Sequence, residues 1–319
     1  MSLPTAFQFS ATSLQDYVDC PRRFQLRYLL QVSWPAPEVE PIDERERRGQ
    51  LARDFHQLVH QHLLGLPAEL LSASVHDPNL ERWWQAYLAD APKFSTGSAM
   101  AEVGLSTVLG GRRLVAQYDA IFVRAGISPH DAGARGVELK SQPSLLIVDW
   151  KTYRRRPSRN WLEKRLQTRV YPLVLVQAGL SLIHEFSSVS ETRIVAPENI
   201  EMWYWLAEYP GDPESFMYNA DNYQGDFDYL TALITEITER IQPGESGVAL
   251  TAISNFDDIW PLTNDLDQCR YCNYRSLCQR GDVAGSLATY SEDYDEDPST
   301  TGNELDFDLD WGQVQEIAY

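Results

Sequence analysis

Asp149 and Lys151 are the residues whose types and spacing most readily suggest chemistry. They close the segment Ser144–Tyr153, which reads SLLIVDWKTY. Leu145–Val148 is an unbroken apolar run, the pattern of a strand buried on both faces. Side chains alternate across a strand, so Asp149 and Lys151 emerge on the same side. A carboxylate and an ammonium at the end of a core strand are costly to bury. Such a pair is tolerated where the carboxylate holds a metal and the lysine steers a water or an anionic substrate; the plain alternative is a strand-end salt bridge. Asp119, in LVAQYDAIF, sits among apolar neighbours. If buried, it needs a metal, a cation or several N–H donors; otherwise it is a strand-edge carboxylate facing water. His56 and His60, four apart, could both ligate one metal, although such pairs more often cap or solvate a helix. Gln167 and Tyr171 share the same four-residue spacing on one helix face.

The elements that must position these groups follow from hydrophobic period and turn residues. Ser10, Thr12 and Ser13 are N-cap candidates for an opening helix, which Cys20-Pro21 should break or kink. A helix is expected from about Ile42 to Leu64 and a short aromatic one over Glu81–Leu88. Glu102–Leu109 and Arg113–Val123 alternate as strands around Gly110-Gly111, a hairpin turn. A polar loop over 125–143 leads to the central strand. Asn160–Leu180 should be a helix kinked at Pro172. Arg193–Val195 and Met202–Trp205 suggest further strands, and Phe227–Ile241 a helix stopped by Pro243-Gly244.

The chain has 319 residues, enough for one elaborated domain, and a soluble composition. No apolar run approaches the roughly 20 residues of a membrane span, and Met1-Ser-Leu-Pro is not a signal peptide, so a cytoplasmic location is the expectation. The formal charge is −19. Eleven acidic and no basic residues fall between Asp282 and Tyr319, leaving −8 for the remainder. That tail reads as disordered or as a docking segment for a partner. Lys151, Arg154, Arg155, Arg156, Arg159, Lys164, Arg165 and Arg169 instead form a basic stretch directly after the central strand. A phosphate backbone answers to such a local patch rather than to global charge, although a solvated helix face has the same composition. The four cysteines, Cys20, Cys269, Cys272 and Cys278, fit a metal or cluster better than a secreted disulfide framework.

Taken in order, FHQLVHQ, LVAQYDAIF, IVDWK and QTRVY resemble the motif series of the PD-(D/E)XK nuclease superfamily, specifically its RecB-like, CRISPR-associated-exonuclease-like branch. Ala116-Gln117-Tyr118 stands where a glycine is usual before the strand aspartate. The opening TSLQDYVDCPRRFQLRYL and the C-terminal C-x2-C-x5-C are similar to members of that branch carrying an iron–sulfur cluster. The resemblance implies an α/β restriction-endonuclease-like core, a mixed sheet flanked by helices, with N-terminal helices and a C-terminal cysteine subdomain. That domain would span residues 8–281, followed by the acidic tail 282–319. The resemblance further implies a metal-dependent DNA nuclease, an exonuclease on single strands or duplex ends. His56, Asp119 and Asp149 would hold magnesium or manganese. Lys151 would position or help deprotonate the attacking water, and Gln167 and Tyr171 would orient DNA or the lysine. Arg154, Arg155, Arg156, Arg159, Arg165 and Arg169 would meet backbone phosphates. Cys20 with Cys269, Cys272 and Cys278 would bind a [4Fe-4S] cluster, with structural zinc as the alternative. A catalytically silent nucleic-acid-binding or assembly subunit of a repair or CRISPR complex is the competing reading. The chain contains no helicase P-loop.

Overall fold

The computed structural model describes residues 7–33, 44–94, 97–124, 144–179, 195–241, 259–270 and 272–281. The expected loop over 125–143, the acidic tail 282–319 and most of the strand expected at 193–195 lie outside these residues. The chain opens with α1 (Ala11–Asp19), where Ser10 and Ser13 form a reciprocal capping box. Cys20 adopts an extended conformation, and α2 (Pro21–Phe24) begins on Pro21, so the proline opens a second helix rather than kinking the first. Backbone in a π-helical turn continues through Gln25–Leu29. Then follow α3 (Glu44–Leu63), α4 (Ala68–Ser72) and α5 (Pro78–Phe94), the last reaching well beyond the expected Glu81–Leu88 at both ends.

Five strands form one mixed sheet in sequence order: β1 (Gly97–Leu109), β2 (Arg112–Arg124), β3 (Ser144–Lys151), β4 (Ile200–Leu206) and β5 (Glu214–Met217). β3 and β4 are parallel and every other neighbouring pair is antiparallel. The crossover from β3 to β4 carries α6 (Arg159–Lys164) and α7 (Leu166–Ala178). Where one helix was expected, Arg165 is extended between the two, whereas Pro172 lies inside α7. α8 (Ala220–Ile241) follows β5, and α9 (Asp267–Arg270) carries the first of the three late cysteines. β5, four residues long and only partly buried, has no periodic signal.

Two cores sandwich the sheet. Leu145 and Ile147 of β3 face one, built with α1, α7 and α8. Leu146, Val148 and Trp150 face the other, built with α3, α4 and α5. The central strand is therefore covered on both sides, as its apolar run requires. Gly110 and Gly111 both have positive φ, which makes the β1–β2 turn possible at no steric cost.

Asp90 of α5 joins the helical layer to the sheet. Its carboxylate accepts from the buried Trp205 indole at 2.9 Å and from the Gly211 amide at 2.8 Å, and pairs with Lys93 at 2.6 Å. Asp90→Ala strands a buried indole N–H and a backbone N–H, so it is expected to cost about 2–4 kcal/mol. Urea unfolding would measure this, and a loss below about 1 kcal/mol would show the clamp to be unimportant.

Candidate active site

The site forms where the middle of β2 and the C-terminal end of β3 meet α3 and α7. Asp149 and Lys151 share a face of β3, and both are almost fully buried, at 3% and 8% exposure. Lys151 Nζ lies 3.1 Å from Asp149 Oδ2. The other oxygen, Oδ1, accepts from Gln167 Nε2 at 2.7 Å across from α7. Lys151 also lies above the Tyr204 ring, at 6.0 Å from its centroid. On β2, Asp119 Oδ2 accepts from the Trp150 amide at 2.8 Å, and Oδ1 sits 3.3 Å from His56 Nδ1 on α3. The sheet thus brings Asp119 beside the Asp149–Lys151 pair, while one helix from each layer contributes His56 or Gln167.

A slip in strand alternation places Asp119. Residues three apart on a regular strand face opposite sides. Yet Tyr118 and Ile121 of β2 enter the same core, and so do Met100 and Val103 of β1. At the slip, Glu102 has φ +51°, a left-handed backbone that a non-glycine residue rarely adopts. Such local strain is found where the surrounding structure over-determines a functional geometry. Counting outward from Gly110-Gly111, the hairpin register pairs Ala101 with Ala120 and Val103 with Tyr118, so Glu102 stands opposite Asp119. Glu102 is solvent-exposed, and local desolvation, then the Asp119 charge, raise its carboxyl pKa, with Gln117, His56 and His60 acting against them. Glu102 is a site residue that motif spacing missed, although the two-residue turn already contained the register that finds it.

The electrostatics are those of two internal ion pairs. For His56, burial disfavours charge, but the Asp119 carboxylate and its hydrogen bond, with Asp149 behind it, outweigh burial and hold the imidazolium up to about 9. Asp119 responds in kind: burial opposes ionisation, while His56, the Trp150 amide and Lys151 keep its carboxyl below the usual range. Because the folded His56 value is raised, the pair's contribution to stability is fully present below the ordinary value of about 6.5. It is lost as pH rises through about 9. An NMR titration of the metal-free protein is expected to place the His56 midpoint near 9. A midpoint at or below about 6.5 would break the coupling to Asp119. A divalent ion bound through His56 would displace that proton, so its affinity is expected to strengthen with pH over the same interval.

The other expected residues divide. Tyr171 is buried, its ring 4.9 Å from that of Tyr118 and its carbonyl accepting from the Tyr118 hydroxyl. Gln167 is also buried, and its amide donates to Asp149 Oδ1. Arg156 pairs with Asp212 and Glu214, and Arg159 pairs with Glu214 and covers Phe216. Arg165 stacks on Trp161, while Arg169 lies 3.6 Å from Asp226 and over Tyr229. Arg154 and Arg155 instead line a cleft beside the site.

The cysteines gather at the opposite end of the chain's course. Hydrogen bonds tie the early and late described segments together: Arg22 N–H donates to the Pro261 carbonyl, and the Tyr274 hydroxyl donates to the Val32 carbonyl. Burial followed by the neighbouring thiols Cys272 and Cys20 pushes Cys278 up to about 11. Burial and Cys20 also raise Cys269, and burial raises Cys272 against the pull of Arg23. All four thiols are free and sense one another's charge. Buried Arg23 pairs with Asp16 and Asp19, and its Nη1 finds no acceptor among the described residues. Four thiols with a buried guanidinium beside them suit an anionic cluster or a tetrathiolate metal. Among the described residues, however, no three His, Cys, Asp or Glu side chains are drawn to the closeness of a formed metal site.

A sequence profile described as the PD-(D/E)XK nuclease superfamily matches residues 8–279. The chain belongs to the PD-(D/E)XK nuclease superfamily. Its mixed five-stranded sheet between helical layers is the fold expected of that superfamily. Among solved structures, a candidate exonuclease from Eubacterium rectale is similar at 9% identity and a TM-score of 0.40, covering 75% of this chain and 86% of that one. The protein SSO0001 is similar at 13% identity and a TM-score of 0.29, covering 71% and 75%. No curated protein matches the chain by sequence. Among the described residues, no helix is long and apolar enough to cross a membrane.

Proposed function

We propose that this PD-(D/E)XK protein is a metal-dependent deoxyribonuclease of the RecB-like branch, an exonuclease on single strands or duplex ends. The observation that carries this reading is the meeting of His56, Asp119, Asp149 and Lys151 at one end of the sheet. Two carboxylate groups and an imidazole are suitable donors for magnesium or manganese. The ion, when bound by His56, Asp119 and Asp149, would supply charge neutralisation at the phosphate and acidify a water. Lys151 would hold the attacking water and offset the negative charge that builds in the transition state. Gln167 fixes the rotamer of Asp149 through its amide, and the Trp150 amide does the same for Asp119. Cys20, Cys269, Cys272 and Cys278 would hold a structural [4Fe-4S] cluster. Cytoplasmic action, a domain spanning 8–281 and a protein partner for the acidic tail belong to the same reading.

The deciding experiment uses end-labelled single-stranded and duplex DNA with anaerobically purified full-length protein and magnesium or manganese. Shortening of the labelled strand is expected with either ion and none with EDTA. DNA binding without cleavage under all conditions would sink the nuclease reading in favour of a silent assembly subunit.

A further inference from the structure

Apart from Lys151, Arg23 is the one buried cation among the described residues, at 6% exposure. It follows Cys20 by three residues, and its backbone N–H donates to the Cys20 carbonyl at 2.8 Å. Two carboxylates hold its guanidinium. Nε lies 2.8 Å from Asp16 Oδ1, and Nη2 lies 2.6 Å from Asp19 Oδ2. The carboxylates are themselves fixed. Asp16 Oδ2 accepts from the Tyr28 hydroxyl at 3.0 Å and from Arg27 at 3.1 Å. Asp19 Oδ1 accepts from the Gln15 amide at 2.8 Å. Each carboxylate thus has both oxygens engaged, and the guanidinium between them has little freedom to turn. Nη1 remains, buried and with no acceptor among the described residues. Leaving a donor of a charged group buried without an acceptor is costly, so its direction asks for a ligand.

The thiols are the groups that can supply one. Burial opposes the Arg23 charge, but Asp16, Asp19 and then Cys272 sustain it. The same guanidinium pulls Cys272 and Cys269 down against burial, so its charge reaches both. Three other cations act on the thiols, Arg22 on Cys278 and Arg280 and Arg275 on Cys269. These are only half-buried, and they donate to Gln25, to the Thr263 carbonyl and to the Arg280 carbonyl respectively. A neutral thiol is a weak acceptor, whereas a metal-bound thiolate carries charge. Four thiolates around one divalent ion, or around an iron–sulfur core, leave a net negative charge.

We propose that Arg23 is a positioning residue for the cysteine centre, its Nη1 donating to the metal-bound thiolate of Cys272 and offsetting part of the centre's negative charge. Asp16 and Asp19 then serve to aim the guanidinium rather than to consume it. The assignment rests on the reading of the four cysteines as a metal centre and is independent of the nuclease chemistry. The shared ligand chemistry is an anionic tetrathiolate centre, with an iron–sulfur cluster and zinc as its two sources.

The test follows metal leaving the anaerobically purified full-length protein, with bathophenanthroline capturing iron and pyridylazoresorcinol capturing zinc. Acid-labile sulfide tells the two centres apart. Arg23→Gln is expected to release metal about tenfold to a hundredfold faster than the wild type, the range typical of losing a partner of a metal ligand. Arg23→Lys keeps a cation for Asp16 and Asp19 but has no second arm for the thiolate. It is expected to keep the wild-type circular dichroism and to release metal nearly as fast as Arg23→Gln. If Arg23→Gln does not fold, Arg23→Lys carries the test. Arg27→Gln removes the half-exposed cation from Asp16 and is expected to release metal close to the wild-type rate. In a cluster, the guanidinium favours the more negative reduced form. Its potential in Arg23→Gln should therefore fall by about 59 mV, the one-electron equivalent of a tenfold change. Wild-type release from Arg23→Lys would make Arg23 a partner of the aspartates alone and overturn the proposal. Equal acceleration by Arg27→Gln, or an unchanged cluster potential, would do the same. A wild-type protein holding neither iron nor zinc would overturn the metal-centre reading and this proposal with it.

Discussion

Lys151→Ala is expected to lower kcat/KM for DNA cleavage by about 10³-fold or more, while DNA binding measured in EDTA changes little. The expectation follows from where the ammonium sits. It is 92% buried, 3.1 Å from one oxygen of Asp149, and enclosed by the Tyr204 ring. So little of it reaches the surface that it contributes little to holding a DNA backbone. A charge in such a setting is worth far more to a developing negative charge than one in water. A loss of about 10³-fold corresponds to about 4 kcal/mol of transition-state stabilisation. Lys151→Ala also leaves Asp149 without its nearest cation, so thermal melting is needed beside the kinetics. Lys151→Arg keeps the charge but places it on a longer, planar group, and is expected to restore stability with little activity. If Lys151→Ala retains more than about a tenth of wild-type kcat/KM, the lysine is only a salt-bridge partner and the chemistry lies elsewhere.

The Asp149–Lys151 pair is legible in the sequence because its signal is local: an apolar run, then two polar residues of opposite charge on one strand face. Asp119 and Gln167 are likewise visible as polar residues in strongly periodic segments. The feature that escapes is relational. Glu102 enters the site only because both strands of the hairpin slip by one residue at the same level, and the left-handed φ at Glu102 has no local sequence mark. The basic stretch after β3 looks uniform in sequence. Folding divides it, because β5 returns Glu214 and Asp212 to Arg156 and Arg159 while Arg154 and Arg155 turn to the cleft. β5 itself is too short for periodicity to show. The division of α6 from α7 arises at Arg165, whose extended backbone follows no proline or glycine, whereas Pro172 looks disruptive and is accommodated. Strong local patterns are therefore legible, and long-range charge partners are not.

Cys278→Ser is expected to produce the largest loss of stability in the molecule. Cys20 and Cys269 are 269 − 20 = 249 residues apart, so the metal centre proposed for the four thiols would close nearly the whole domain into one loop. By chain entropy alone, such a closure restricts the unfolded state by about 5 kcal/mol. For a domain of this size that corresponds to about 10–20 °C in melting temperature. The described contacts that join the late segment to the N-terminal helices include Arg22 to Pro261, Tyr274 to Val32 and the packing of buried Trp260 on Tyr17 and Phe24. Burial and neighbouring thiols raise Cys278 to about 11, so without metal this thiol stays protonated at neutral pH. Loading a metal there would expel its proton, and acid should release such a metal before it unfolds the sheet. The order of events follows from position. The thiols lie with α1, α2 and the late segment, while the proposed catalytic groups stand on β2, β3, α3 and α7. Limited proteolysis of Cys278→Ser should cut first near both ends of the domain and leave the sheet protected. Iron and sulfide analysis of the wild type separates a cluster from zinc, since zinc would give the same melting behaviour with no acid-labile sulfide. If Cys278→Ser melts within about 2 °C of the wild type, no metal cross-link joins the two ends, and the four thiols are neighbours without a shared ligand.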